Sequence, residues 1–193
     1  MELSAEEKGV LLLSAREAIR GLFDPAHPPV IDFKHYPQLA GVKNGVFVTL
    51  TKNKQLRGCI GFLHSDKNLI ETVVDAARHA AFHDPRFPQV QFEEIKDLEI
   101  EISVLSEPFP LKDYNDIEIG KHGLILEEEG NTGLLLPQVA TEHKFDVTSF
   151  LNAICQKAGV DQRLWQKKRL NLKAFTATVF SETGKRKRTF ERI

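Results

Sequence analysis

The sequence reads VFVTLTKNKQLRGCIGFL over residues 46–63. Apolar residues alternate with polar ones on either side of Asn53 and Lys54, which predicts a β-hairpin that turns there. The second strand is unusual, because an arginine, a cysteine and two glycines stand where β-branched residues would stabilise a strand better. We therefore expect this strand to line a site.

The two faces of this strand are expected to differ, because side chains alternate along a strand. The core-facing set is predicted to be Leu56, Gly58, Ile60 and Phe62. The opposite face would carry Arg57, Cys59 and Gly61, and Gly61 would leave space beside the Cys59 sulfur where a ligand or another backbone could approach. The alternative is a small thiol packed in the sheet, whose glycines make room for neighbouring side chains.

The elements around the hairpin are helices and a further strand. Ser4 has capping-box spacing for a helix that ends before Pro25, and Ser65 or Asp66 is expected to cap a helix through about Phe82. The stretch LEIEISVLS, residues 98–106, alternates in polarity. It predicts a half-exposed strand whose outward side chains are Glu99, Glu101 and Ser103.

The second half of the chain repeats this order. Residues 122–138 predict a hairpin that turns at Gly130 and Asn131, Asp146 caps a helix that ends at Gly159, and residues 172–180 alternate as a final strand. Hairpin, helix and strand thus occur twice, which suggests an internal duplication. Hairpins with helices between them favour an α+β fold with a mainly antiparallel sheet.

Composition and charge limit the class of protein. The 193 residues carry a formal net charge of −1, yet residues 163–193 contain ten Lys and Arg against two Glu. That basic segment keeps nucleic acid open as a partner. Two cysteines cannot form a disulfide framework, and the N-terminal stretch resembles neither a signal peptide nor a membrane span. We therefore expect a cytoplasmic protein without membrane contact.

Several segments together resemble the AMMECR domain family, over roughly residues 9–180. They are LRGCIGFL (56–63), AAFHDPRFP (80–88), LEIEISVLSEP (98–108), IGKHGLIL (119–126), GLLLPQVA (133–140) and CQKAG (155–159). The resemblance implies a single α+β domain over residues 1–193, in which two halves (about 1–110 and 111–182) share a strongly curved sheet and helices flank it, followed by a basic tail (183–193). It also implies the AmmeMemoRadiSam system, with a Memo-type protein and a radical SAM protein as partners, and no assigned reaction.

The candidate catalytic residues are Cys59 as nucleophile and His122 as its base. His122 matches the HG pair of the family, although it is equally well explained as a turn residue. The candidate ligand-binding residues are Arg57, Gly58, Gly61, Asp84, Arg86 and Gln138. Arg86 lies between two prolines, where it is either a surface arginine after a helix stop or a fixed guanidinium for a small anionic or peptide-like ligand. Asp84 would orient Arg86, or it is simply the turn residue before Pro85.

Other residues are assigned a structural role. Cys155 lies in the apolar stripe of a helix, which predicts a core position. His79 and His83 have metal-chelating spacing but lie opposite the apolar stripe of their helix, so we expect neither a metal nor a cofactor. Two non-enzymatic alternatives stay open, namely a protein-interaction module and an RNA-binding accessory protein that uses the basic C-terminus.

Overall fold

The computed structural model describes residues 2–24, 26 and 35–182. Contacts divide the chain into two units, residues 1–105 with 178–193, and residues 106–177. The predicted basic tail, residues 183–193, lies outside the described residues.

The first unit is built from a hairpin, a third strand and helices. Its elements are α1 (Ala5–Arg20), α2 (Pro37–Ala40), β1 (Val46–Lys52), β2 (Gln55–Phe62), α3 (Leu69–Phe82), a 3₁₀ helix (Phe92–Asp97) and β3 (Leu98–Leu105). The antiparallel strands lie in the order β2-β1-β3, so β2 is at an edge. The last strand of the chain, β7 (Leu172–Ser181), lies next to β3 in the sheet, and its residues from Thr178 onward complete this unit.

The predicted hairpin is confirmed. Asn53 and Lys54 connect β1 to β2 and have positive φ angles of 53° and 66°, as a two-residue type I′ turn requires. Val48 and Leu50 of β1 are fully buried in the core that α1 and α3 cover. One face of the hairpin therefore packs against the helices of its own unit.

The predicted cap of α1 is confirmed, whereas the predicted cap of α3 is not. Ser4 and Glu7 form the predicted capping box of α1. The cap of α3 is Asn68, whose side chain accepts a hydrogen bond from the Glu71 backbone, so the prediction of Ser65 or Asp66 is wrong. The reason is that Asn68 stands next to the first helical residue, with a Glu in the position that a capping box needs.

The prediction that β3 is half-exposed is also wrong. On the polar face of this strand, Glu101 is only 7% exposed and Ser103 only 1%. Both side chains have interaction partners within the protein, which makes their burial tolerable. Alternation in the sequence identified a polar face, but it could not distinguish a solvated face from a covered one.

The second unit also contains a hairpin, helices and further strands. Its elements are β4 (Phe109–Pro110), a 3₁₀ helix (Tyr114–Asp116), β5 (His122–Glu128), β6 (Asn131–Leu135), α4 (Pro137–Glu142), α5 (Val147–Lys157), α6 (Leu164–Lys167) and β7 (Leu172–Ser181), whose residues up to 177 belong to this unit. β4 and β5 both pair with β7, and β6 pairs with β5. The hairpin turns at Glu129 and Gly130, one residue earlier than predicted, because these two residues have the positive φ angles.

The predicted fold class is confirmed. The strand pairs are antiparallel, and helices pack on the sheet in an α+β arrangement. Asp146 caps α5 as expected. The internal duplication stays a prediction. No helix within the described ranges combines the length and the apolar character that crossing a membrane requires.

Candidate functional site

The second strand of the first hairpin contains a β-bulge at Arg57. Leu50 lies opposite Gly58 and Thr51 lies opposite Leu56, so Arg57 is an extra residue that faces no residue of β1. Residues directly opposite each other share a face of the sheet. Leu56 is therefore on the opposite face from Gly58, and the prediction that both face the core is wrong.

The Cys59 thiol belongs to a row of polar side chains across three strands. Thr49 on β1 lies opposite Cys59 on β2 and also opposite Glu101 on β3. Cys59 Sγ and Thr49 Oγ1 are 3.2 Å apart and form a hydrogen bond in which either group can donate. Thr49 is 5% exposed and Cys59 is half-buried. We call these three residues the Cys59 row.

Thr49 and Glu101 are not among the site residues that the sequence predicts. A usable signal was present, because Thr49 alternates with the core residues of β1 as Glu101 does with those of β3. Placing the two beside Cys59 requires the register of both strand pairs. The bulge at Arg57 shows how easily that register shifts.

The two glycines of the strand are explained by close packing. A Cβ atom at Gly58 would lie 2.1 Å from the carbonyl oxygen of Ala80 in α3. One at Gly61 would lie 2.3 Å from the carbonyl oxygen of Val46 and 2.4 Å from the ring of Phe47. The space at Gly61 is therefore filled by the backbone of Val46 and the ring of Phe47, so the protein itself, rather than a ligand, approaches there.

Asp84 and Arg86 hold the backbone of Cys59 from outside the sheet. An Asp84 carboxylate oxygen accepts a hydrogen bond from the Cys59 backbone nitrogen at 2.8 Å, and Arg86 Nη2 donates to the Cys59 carbonyl at 3.2 Å. The two side chains also bind each other, since Arg86 Nε and Nη2 lie 2.9 and 2.7 Å from the carboxylate. These contacts fix the Arg86 guanidinium against Asp84, and the ligand-binding roles of both residues stay predictions.

The charge of Asp84 is strongly favoured in this arrangement. Burial by itself would raise the pKa of Asp84. The guanidinium of Arg86 and the backbone N–H groups of Cys59 and Arg86 outweigh it and lower the pKa from 3.8 to about 2. The Asp84 side chain is 2% exposed, whereas that of Arg86 is 44% exposed. A fixed, ionised pair therefore holds the cysteine backbone.

Arg57 is engaged by the protein itself. Its guanidinium donates to both carboxylate oxygens of Glu94, at 3.1 and 2.8 Å, and to the carbonyls of Pro88 and Gln89 at 2.7 and 3.1 Å. The hydrogen bond from Arg57 is the main reason that the pKa of Glu94 falls from 4.5 to about 2. Arg57 thus links β2 to the segment before β3, a structural use that accounts for its place in the strand.

His122 lies in the second unit, in β5. Its Nδ1 accepts a hydrogen bond from the Glu118 backbone nitrogen at 3.1 Å, so the proton of the neutral ring is on Nε2. In this tautomer Nε2 donates, which argues against the role of a base through that atom. The ring is 6% exposed, and Phe109 packs edge-on against it. The pairing of His122 with Cys59 stays a prediction.

The remaining named residues have simpler surroundings. Gln138 is half-buried in the first turn of α4, and its role as a ligand contact stays a prediction. Cys155 is completely buried in the core of the second unit, as predicted, and burial raises the pKa of its thiol. Nowhere in the described parts of the chain do three or more His, Cys, Asp or Glu side chains gather as metal ligands would.

Three lysines of the basic segment around the start of β7 form ion pairs with acidic neighbours. Lys167 pairs with Asp161, Lys168 with Glu128 and Glu129, and Lys173 with Glu127. Lysines that are already paired contribute less to phosphate binding, because each contact must displace a carboxylate. RNA binding through the basic C-terminus stays a prediction.

Comparisons with known proteins identify the family. The model of the AMMECR1 family matches residues 12–180. A protein of Methanococcoides burtonii is 45% identical over 169 residues, covering 84% of this chain and 83% of its own. One of Methanopyrus kandleri is 40% identical and covers 94% of this chain and 91% of its own. The crystal structure of an uncharacterised protein from Pyrococcus horikoshii is similar, with a TM-score of 0.80, 35% identity and 90% of each chain covered. This chain belongs to the AMMECR1 family.

Proposed function

We propose that the Cys59 row binds a small ligand and presents the Cys59 thiol to it as a nucleophile. The hydrogen bond between Cys59 Sγ and Thr49 Oγ1, beside the buried Glu101, is the observation that supports this role. A hydroxyl that donates to sulfur stabilises the thiolate, which is the reactive form of cysteine. Glu101 is the one carboxylate of this row. The Thr49 hydroxyl would take the thiol proton from Cys59 and pass its own proton to Glu101, which leaves a thiolate on Cys59.

The ligand is proposed to carry a carboxylate or a similar anionic group. Arg86 contacts the backbone of Cys59 and keeps 44% of its side chain exposed. Its Nε and Nη2 bind the Asp84 carboxylate, Nη2 also binds the Cys59 carbonyl, and the guanidinium interacts with the Cys59 side chain as well. The exposed part of the guanidinium could therefore receive an anion that approaches the edge of β2 beside the thiol.

The pathway is proposed from family membership. We place the protein in the cytoplasm, where it would act with a Memo-type protein and a radical SAM protein. A non-catalytic interaction module is the second candidate. It is favoured by the packing roles of Gly58, Gly61 and Arg57, which account for most of the unusual residues of β2 without any ligand.

The test compares the wild type with Cys59→Ser and Cys155→Ala. Small molecules that remain bound after purification are identified by mass spectrometry without preselection. The proposal expects at least one anionic molecule that is lost in Cys59→Ser and kept in Cys155→Ala, together with a Cys59 thiol that reacts in the native protein. If the bound molecules are the same in all three and Cys59 reacts only after denaturation, the interaction module is the better description.

A further inference from the structure

The second unit contains a cavity of about 230 Å³ that is distinct from the Cys59 row. Apolar walls come from Leu111, Leu170 and Leu172, and the aromatic side chains are Tyr114 and Trp165. Asp113 and Arg169 complete the lining. We call it the Trp165 cavity. Its volume is below the roughly 300–1,000 Å³ of sites for drug-sized ligands, so its ligand would be small.

Hydrogen bonds hold the two aromatic side chains of the cavity in place, and the Tyr114 hydroxyl still has its hydrogen to donate. Trp165 Nε1 donates to Asn152 Oδ1 at 2.8 Å, and the Tyr114 hydroxyl accepts from the Leu170 backbone nitrogen at 3.0 Å. The two rings meet edge to face, with 6.0 Å between their centroids. The Tyr114 hydroxyl hydrogen has no acceptor among the described residues. It can therefore donate to a ligand.

Arg169 differs from the lysines around it. Its Nη2 donates to the carbonyls of Leu111 and Lys112, at 3.0 and 2.6 Å, which fixes the guanidinium at the cavity. Lys168 and Lys173 each have carboxylate partners, whereas no carboxylate of residues 35–182 forms an ion pair with Arg169. Its charge, with Nε and Nη1, remains available to an anion.

Asp113 brings the opposite charge to the same cavity. One carboxylate oxygen accepts a hydrogen bond from the Asn115 backbone nitrogen at 2.8 Å, which fixes the side chain. Within the described part of the chain, no Lys, Arg or His forms an ion pair with Asp113, and Arg169 is no exception. Two opposite charges that do not neutralise each other therefore line one small, partly apolar cavity.

We propose that the Trp165 cavity binds a free α-amino acid with an apolar side chain. Arg169 and the Tyr114 hydroxyl would receive its carboxylate, Asp113 its ammonium group, and the leucines and Trp165 its side chain. A ligand with both charges matches both unpaired groups, whereas the end of a peptide offers only one of them. The apolar wall selects against polar amino acids, because their side chains would lose hydrogen bonds to water.

The single tryptophan of the chain lies in this cavity and reports on it. L-leucine, L-methionine and L-phenylalanine are titrated into the full-length protein while Trp165 fluorescence is recorded. At least one is expected to give a saturable change. Leucinamide, which lacks the carboxylate, and 4-methylpentanoic acid, which lacks the amine, are expected to bind at least about tenfold more weakly than L-leucine, a loss typical of one charge-assisted contact.

Substitutions test the contributions of the two charged residues, Arg169 and Asp113, one at a time. Arg169→Gln and Asp113→Asn should each weaken binding of the amino acid by about tenfold, while Arg163→Gln, an exposed change in the same segment, should not. Asparagine also caps helices well, so Asp113→Asn should keep its fold, which the unfolding temperature checks. The proposal is overturned if none of the three amino acids binds, or if either analogue binds as tightly as L-leucine.

Discussion

The Asp84 carboxylate lies 2.8 Å from the backbone nitrogen of Cys59, where a neighbouring strand would otherwise supply a carbonyl. Arg86 completes the arrangement by donating to the Cys59 carbonyl. Because β2 is an edge strand, these groups would otherwise face outward without a strand partner. The loop after α3 thus satisfies the outer edge of β2 at the cysteine.

This relationship predicts a pH dependence of stability. The folded-state pKa of Asp84 is about 2 against an ordinary 3.8, so the pair stabilises the protein by about 2 kcal/mol above pH 4. That contribution is lost as the pH falls from about 4 through 2. We expect Asp84→Asn to lower the free energy of unfolding by about 2 kcal/mol at pH 7 and by much less near pH 2. Urea unfolding of the wild type and the variant, at pH values between 7 and 2, measures this difference in the free energy of unfolding.

The matched control is Glu118→Gln. Glu118 also forms an ion pair, with Lys121, but both side chains are 58% exposed. Water screens surface pairs of this kind, so little change is expected at any pH. A cost of Asp84→Asn that is the same at pH 7 and pH 2 would show that ionisation of Asp84 is not what stabilises the edge.

The two cysteines should differ in reactivity. Cys59 is half-buried, whereas Cys155 is fully buried and has a raised pKa because of that burial. We expect limiting iodoacetamide to label Cys59 first in the native protein, and both equally in denaturant, as mapped by mass spectrometry of peptides. Labelling of Cys155 first would contradict the proposed site.

Gly61 should be intolerant of a side chain. Its Cβ would contact the Val46 carbonyl oxygen and the Phe47 ring at 2.3 and 2.4 Å, and the backbone contact cannot rotate away. We expect Gly61→Ala to lower the free energy of unfolding by about 3 kcal/mol. Gly9 in α1 has nothing within 4 Å, so Gly9→Ala should instead raise it by about 0.5–1 kcal/mol. Equal effects of the two changes would rule out close packing as the explanation.

The residues at the end of the described chain should contribute more to the stability of the fold than the basic tail does. The Glu182 carboxylate binds the Arg16 guanidinium and accepts a hydrogen bond from the Ile100 backbone nitrogen at 3.0 Å. Glu182→Ala should therefore cost about 1–3 kcal/mol. Truncation after Gly184 removes surface charges according to the sequence prediction, and it should change the unfolding temperature by only a few degrees. A larger effect of the truncation would show that the tail is packed.

Local signals in the sequence predicted most of the elements. The turn at Asn53 and Lys54 and the caps at Ser4 and Asp146 all depend on a few adjacent residues, whose chemistry decides the local backbone. The cap of α3 is harder to predict, because Ser65, Asp66 and Asn68 can all cap a helix and only Asn68 is adjacent to it. Family resemblance and alternation together gave the α+β class.

The site was predictable only in part, because its chemistry depends on contacts between distant segments. Cys59 and the Asp84–Arg86 pair could be named from the sequence, and the structure brings them together. The row with Thr49 and Glu101 depends on strand register, which no local pattern specifies. The ion pair of Arg57 is equally hidden from any local pattern, because its partner Glu94 is 37 residues away.

The Arg16–Glu182 contact has a consequence for biosynthesis. It joins two residues that are 166 positions apart, and it holds the last strand segment of the first unit to the first helix. A ribosome adds about 5–20 residues per second, so roughly 8–33 s pass between the two residues. During that interval the whole second unit is made. Synthesis of the first unit therefore begins before that of the second. The first unit can be completed only after the second has been made, when the final strand emerges from the ribosome.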